Sequence, residues 1–204
     1  MYRLFETIKI IDGVICNIRF HNERFNRARA ALFGCSGYTE LGDFIKLPPE
    51  YREGIVKCKI VYSRNIDSVA YARYEKRTIH SLKIVIDDAI DYSYKYHDRT
   101  VIDRLLESRK GCDDIIIVKN GMMTDSSFSN LVFDDGKNLL TPAAPLLKGT
   151  KRAQLLSEGI IAADEIRLKD MKLFKSVHLI NAMLDLYECR VGIDNIQSSY
   201  RLSR

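Results

Sequence analysis

Proline is scarce, with four in 204 residues, and the five cysteines (Cys16, Cys35, Cys58, Cys112 and Cys189) stand singly with no CxxC spacing. An odd, scattered set argues against a disulfide framework and against a cysteine-built zinc site. It leaves a reduced, cytoplasmic protein with no metal as the expectation. No apolar run approaches the roughly 18 residues that cross a bilayer, and Met1-Tyr2-Arg3 leads straight into strand-like sequence instead of a signal peptide. The formal charge of +5 is dispersed, without a basic run, so neither nucleic acid nor a membrane is an expected partner. Internal repeats and low-complexity tracts are absent as well. What is present, 46% hydrophobic and 29% charged residues, suits a soluble globular chain long enough to bury a core.

Along the chain, Leu4 to Ile11 and Val14 to Phe20 are rich in β-formers and flank Asp12-Gly13, a strong hairpin signal. His21-Asn22 offers an N-cap for a helix over 23–33, with Phe25, Ala28, Leu32 and Phe33 on one face and Gly34 as its stop. Strands are expected at 54–62, 68–75 and 81–86, then an amphipathic segment at 100–110. The apolar run 115–118 ends at Asn120-Gly121. Beyond it the polar cluster Thr124 to Ser127 leads into a strand at 131–133. Short strands are expected at 138–141, 160–167 and 177–180, with helices at 151–158 and 168–174. Strand clusters separated by single helices give an α+β class in two lobes, residues 1–88 and 89–204.

Four features could carry chemistry. Lys95 stands between Tyr94 and Tyr96, whose rings would desolvate an amine and favour its neutral, nucleophilic form. It also precedes the polar cluster, on what could be the adjacent strand of one sheet. Asp125, in that cluster, is either a site carboxylate or an Asx-type turn residue. Arg24 lies off the apolar face of its helix, which by default makes it solvent-facing. Gly149-Thr150-Lys151 at a helix start offers free backbone N–H groups of the kind that bind phosphate.

In order and spacing these pieces resemble the class IV aminotransferase family of fold-type IV pyridoxal-phosphate enzymes. The matching blocks are LFETIKIIDGVI, HNERF (21–25), YKYHDR (94–99), DDIIIVKNGMMTDSSFSNLVF (113–133), LLTPAAPLLKGTKRAQLL (139–156) and LINAML, beginning at Leu179. The resemblance implies a fold like that of D-amino-acid aminotransferase, with a small N-terminal α/β lobe and a β-barrel-like C-terminal lobe, working as a homodimer on a small-molecule substrate. It implies that Lys95 holds pyridoxal 5′-phosphate covalently and then moves the proton, and that Arg24 pairs with the cofactor phosphate. Asp125 would take the place of the family's glutamate at the pyridine nitrogen, with Ser126 beside it. Backbone groups of Thr150 and Lys151 would complete the phosphate cup, and Asn181 and Ala182 would form the turn facing cofactor and substrate. Arg99 and His97 are candidates for contacting substrate, and alternation along an extended segment puts His97 on the side of Lys95. The chain departs from the pattern in opening directly on the LFET block and in carrying Lys148 where the family often has proline.

Within the family, YKYHDR and the Asn181-Ala182-Met183 run look most like 4-amino-4-deoxychorismate lyase, which releases pyruvate and leaves 4-aminobenzoate for folate synthesis. The alternatives are an aminotransferase for branched-chain or D-amino acids and a non-catalytic member that kept the fold alone.

Overall fold

The computed structural model describes residues 2–198, so the outermost residues of the two expected lobes, 1 and 199–204, lie outside it. The chain forms two compact units, 2–76 with 94–98 and 77–93 with 99–198. The division therefore falls after Lys76, with five residues returning to the first unit, where the sequence suggested a single cut after Asp88.

In the first unit, β1 (Leu4–Ile11) turns into β2 (Val14–Ile15), and α1 (Ile18–Phe33) follows. Asp12 and Gly13 both have positive φ, 47° and 81°, as a two-residue hairpin turn requires. The strand expected to reach Phe20 stops at Ile15, and left-handed Asn17 redirects the chain into a helix that starts well before the expected cap. His21 and Asn22 are buried inside α1 rather than capping it. Their side chains serve tertiary bonds, His21 to Glu6 and Asn22 to the Leu41 N–H, which hold an extra turn of helix.

Strands β3 (Ile55–Tyr62) and β4 (Ile66–Arg73) complete an antiparallel sheet of order β2-β1-β3-β4. Its alternation puts Leu4, Ile8, Ile10, Val56, Cys58 and Ile60 into one core with Phe25 and Ala28 of α1. The segment 94–98 runs beside β1 on the edge away from β3. The Phe5 N–H donates to the Lys95 carbonyl (3.0 Å) and the His97 N–H to the Arg3 carbonyl (2.8 Å). Lys95 thus pairs with β1, and the strand bearing Asp125 is not its sheet neighbour.

The second unit begins with β5 (Leu82–Ile86), α2 (Thr100–Glu107), β6 (Asp114–Lys119) and β7 (Met122–Ser126). It continues through β8 (Asn130–Asp134), β9 (Leu139–Pro142), α3 (Thr150–Ser157), β10 (Ala162–Asp164), β11 (Ser176–Ile180), β12 (Arg190–Gly192) and β13 (Ile196–Gln197). The nine strands form a mixed sheet of order β10-β9-β8-β7-β6-β5-β13 that branches at β8, which also pairs β11 and, through it, β12. β6 is buried along almost its whole length, as a parallel neighbour of β5 should be.

β7 is a polar strand, Thr124-Asp125-Ser126, buried throughout that stretch. The Thr124 hydroxyl donates to the Ile117 carbonyl at 2.6 Å, so burial leaves it satisfied. The strand expected at 160–167 shortens to β10, where Ala162–Asp164 pair β9, and beyond it Arg167 makes an isolated bridge to Met122 of β7.

Candidate active site

The first unit assembles its charged residues around Glu6. Alternation on β1 turns Glu6 to the same face as Leu4 and Ile8, under α1, where it is fully buried. Arg24 and His21, one turn apart on α1, both reach it. The Arg24 Nε donates to Oε1 at 2.8 Å, its Nη2 donates to Oε2, and His21 Nδ1 lies 2.6 Å from Oε2. Burial alone would raise the Glu6 carboxyl. The Arg24 guanidinium and the hydrogen bonds from His21 and Arg24 outweigh it and hold Glu6 at about 2. Burial pushes His21 below its ordinary range despite Glu6, so the ring is neutral near pH 7 and donates Nδ1–H. Arg24, solvent-facing on a helical wheel, is in fact buried, and Glu6 fixes the plane of its guanidinium.

Lys95 belongs to the same unit. Its Nζ sits 4.5 Å from the centre of the Phe5 ring, and His97 meets that ring edge-on at 6.2 Å. The two side chains share one side of their segment, as alternation suggested. Tyr94 and Tyr96 pack against the apolar core of the unit.

The second unit builds a different group around Asp125. Its carboxylate is buried at the end of β7, with the Asn130 Nδ2 donating to Oδ1 at 2.7 Å and the Leu147 N–H donating to Oδ2 at 2.8 Å. Asn130 also donates to the Leu147 carbonyl (2.8 Å), so one amide fastens Asp125 to the loop that leads into α3. That loop ends at Gly149, where an added Cβ would clash with Asn130 Oδ1. Only glycine lets the α3 N-terminus approach the carboxylate's support this closely. Arg152 is buried beside them, donating to Thr141 Oγ1 (3.2 Å) and to the Pro142 carbonyl (2.8 Å).

The remaining candidates have defined places in this unit. The Ser126 hydroxyl closes the β7–β8 turn against Ser129 (2.8 Å). Thr150 is buried at the first residue of α3, and the Lys151 ammonium pairs with Asp185. Asn181 accepts the Met183 N–H at 2.8 Å across a tight turn that contains Ala182. Arg99 donates to the Ser127 carbonyl at 2.7 Å, tying the start of α2 to the turn after β7. Sequence reasoning did not single out Glu6, His21, Asn130 or Arg152. For Glu6 and Asn130 the available signal was a polar residue beside an apolar strand pattern, whereas His21 and Arg152 lie in polar sequence and gave none.

Burial raises Asp125 from 3.8 to about 7, against the hydrogen bonds from Leu147 and Asn130. A raised carboxyl holds its proton better in the folded chain. Its contribution to stability is therefore complete below the unfolded value and is lost as pH rises through about 7. For protein stripped of any cofactor, urea unfolding should show wild type losing about 3 kcal/mol relative to Asp125→Asn between pH 4 and pH 7. A pH-independent difference between the two would contradict the buried, ionisable placement.

A model of amino-transferase class IV matches residues 3–190. The chain belongs to the class IV aminotransferase family. It is a pyridoxal-phosphate-dependent enzyme of the lyase and aminotransferase class, with the fold-type IV α+β architecture. It is 40% identical over 185 residues to an uncharacterised protein of Haemophilus influenzae, covering 90% of this chain and 98% of that one. A crystal structure from Haemophilus somnus 129pt, provisionally assigned as a 4-amino-4-deoxychorismate lyase, is 34% identical with a TM-score of 0.84. It covers 91% of this chain and 98% of its own. A hypothetical aminotransferase from Mycobacterium tuberculosis in its PLP-bound form shares the fold at 19% identity, with a TM-score of 0.74, over 100% of this chain and 84% of its own. No helix among the described residues is long and apolar enough to cross a membrane.

Proposed function

We propose that this chain is a 4-amino-4-deoxychorismate lyase, releasing pyruvate and 4-aminobenzoate in folate synthesis, as a cytoplasmic homodimer with pyridoxal 5′-phosphate. The observation that carries the reading is the 34% identity and TM-score of 0.84 to the Haemophilus somnus protein so assigned. The lyase-like YKYHDR and Asn181-Ala182-Met183 runs support it.

The residues present fit the cofactor. A buried carboxylate titrating near 7 suits a pyridine nitrogen, since a cationic ring beside it would restore the charge that burial suppresses. The start of α3 carries no acidic residue in its first turn and presents its N-terminal backbone N–H groups, which suits a phosphate. When bound, the cofactor supplies an aldehyde that takes the substrate amine and a cationic ring that accepts the electron pair left on the reacting carbon.

The chain's own residues do the rest. Lys95 anchors the cofactor, takes the proton from the substrate carbon that bears the amine, and delivers a proton to the methylene carbon of the departing enolpyruvyl group. The six-membered ring becomes aromatic as the carbon–oxygen bond to that group breaks, so no oxidant is needed. Arg24, held flat by Glu6, would bind phosphate in the first unit's part of the site, and in the second unit the backbone of Thr150 and Lys151 would do so. Asp125 holds the ring nitrogen, with Ser126 beside it and Asn130 behind it. Asn181 and Ala182 present their turn to the cofactor and substrate, and Arg99 keeps the turn after β7 in place.

The test is direct. Cofactor-loaded protein given aminodeoxychorismate should form equal amounts of 4-aminobenzoate and pyruvate without any keto acid. Turnover that requires a keto acid would instead make it an aminotransferase, and no product from loaded protein would sink the lyase reading.

A further inference from the structure

On the β1 face that points away from α1, Phe5 carries two cations. The Lys95 Nζ stands 4.5 Å from its ring centre and the Lys59 Nζ, reaching diagonally from β3, stands 5.0 Å from it. The separation of the two ammonium groups cannot exceed the sum of those distances, and one ring serves both. His97 completes the cluster, its Nε2 lying 3.5 Å from Lys59 Nζ. Among the described residues no carboxylate pairs with Lys59, whose contacts are this imidazole and the Phe5 ring.

A structural role accounts poorly for this arrangement. A cation on a phenyl face contributes little to stability at a partly exposed site. A second cation on the same ring adds like-charge repulsion that a neutral side chain of equal length would avoid. Burial, together with the Lys59 and Arg3 charges, pushes His97 below its ordinary range, so it stays neutral and can accept a hydrogen from Lys59. The imidazole thus orients an ammonium that lacks a counter-charge.

We propose that Lys59, positioned by His97, is an anion subsite that binds a carboxylate of the substrate while Lys95 works at its amine. The substrate class is accordingly an amine that also carries a carboxylate, within the reach that the two contacts on Phe5 set. This inference rests on the assignment of Lys95 as the reacting amine. It deepens the lyase reading, in which the ring carboxylate of aminodeoxychorismate stands across the ring from its amino group.

The experiment compares wild type, Lys59→Met, Lys59→Arg and His97→Phe as cofactor-loaded proteins, using benzoate and benzamide as probes in calorimetric titrations. Benzoate keeps the carboxylate, and benzamide keeps the shape without the charge. Wild type should prefer benzoate at least about tenfold, with a preference that shrinks as salt is raised. Lys59→Met should lose that preference while its benzamide affinity, cofactor content and melting temperature stay as in wild type. Lys59→Arg should keep most of the preference, and His97→Phe should keep only part of it. No preference in wild type, or a preference that survives Lys59→Met, overturns the proposal. Turnover of aminodeoxychorismate by wild type is measured alongside. Loss of the preference in Lys59→Met without wild-type turnover supports the subsite and removes the lyase reading. Turnover with an unaltered preference in Lys59→Met does the reverse.

Discussion

Lys95→Ala should lower turnover by at least about 10⁴-fold, because it removes both the covalent anchor of the cofactor and the group that moves the proton. Stability should change by only about 1 kcal/mol. The half-buried side chain contributes a cation–π contact with Phe5, whereas the pairing of this segment with β1 runs through backbone atoms. Lys95→Arg is the informative companion. It keeps the positive charge over Phe5 but replaces the amine with a guanidinium that stays protonated. If charge alone mattered, arginine would restore activity; the nucleophile-and-base role expects it to be as inactive as alanine. Steady-state rates with the lyase substrate, together with circular dichroism melts, separate these outcomes.

The second large effect is on stability. Glu6→Leu leaves the Arg24 guanidinium buried without its carboxylate, and breaking a buried pair from one side costs about 3–5 kcal/mol. Guanidinium denaturation should show that loss as a lower midpoint. In the double variant Glu6→Leu/Arg24→Met both charges go, and most of the lost stability should return, since two apolar side chains fill the space without desolvation cost. Cofactor binding should not return. If Arg24 binds phosphate, the double variant should hold pyridoxal phosphate at least about tenfold more weakly than wild type. Recovery of both properties would make Arg24 a purely structural residue. The pH dependence has a definite sign too. Glu6 titrates at about 2 instead of 4.5, so its contribution is intact above pH 4.5 and is lost as pH falls from there through 2.

The hairpin turns were legible in the sequence because their chemistry is local. Asp12-Gly13 and Asn120-Gly121 both adopt the positive φ values that such pairs permit, and the strands on either side follow. The apolar run into β6 was legible for a similar reason, being an uninterrupted buried strand. Elements held by distant polar bonds were not. The start of α1 depends on Glu6 and Leu41, which lie far from it in sequence, so His21-Asn22 looked like a cap. For β7 the sequence left strand and Asx-type turn open at Asp125, and its pairing with β6 and β8, which satisfies the polar residues, makes it a strand.

The candidate residues followed the same division. Lys95, Asp125 and the Gly149 loop could be found by family pattern, and Arg24 by pattern against its own helical wheel. The supports that give them their electrostatics are Glu6 under Arg24 and Asn130 between Asp125 and Gly149. These emerge only when the strands are paired.

The central claim is that the cofactor is held at Lys95. Protein loaded with pyridoxal 5′-phosphate, reduced with borohydride and digested, should yield one modified peptide by mass spectrometry, with the cofactor fixed on Lys95. A modification on another lysine, or none on Lys95 in protein that has bound the cofactor, would contradict it.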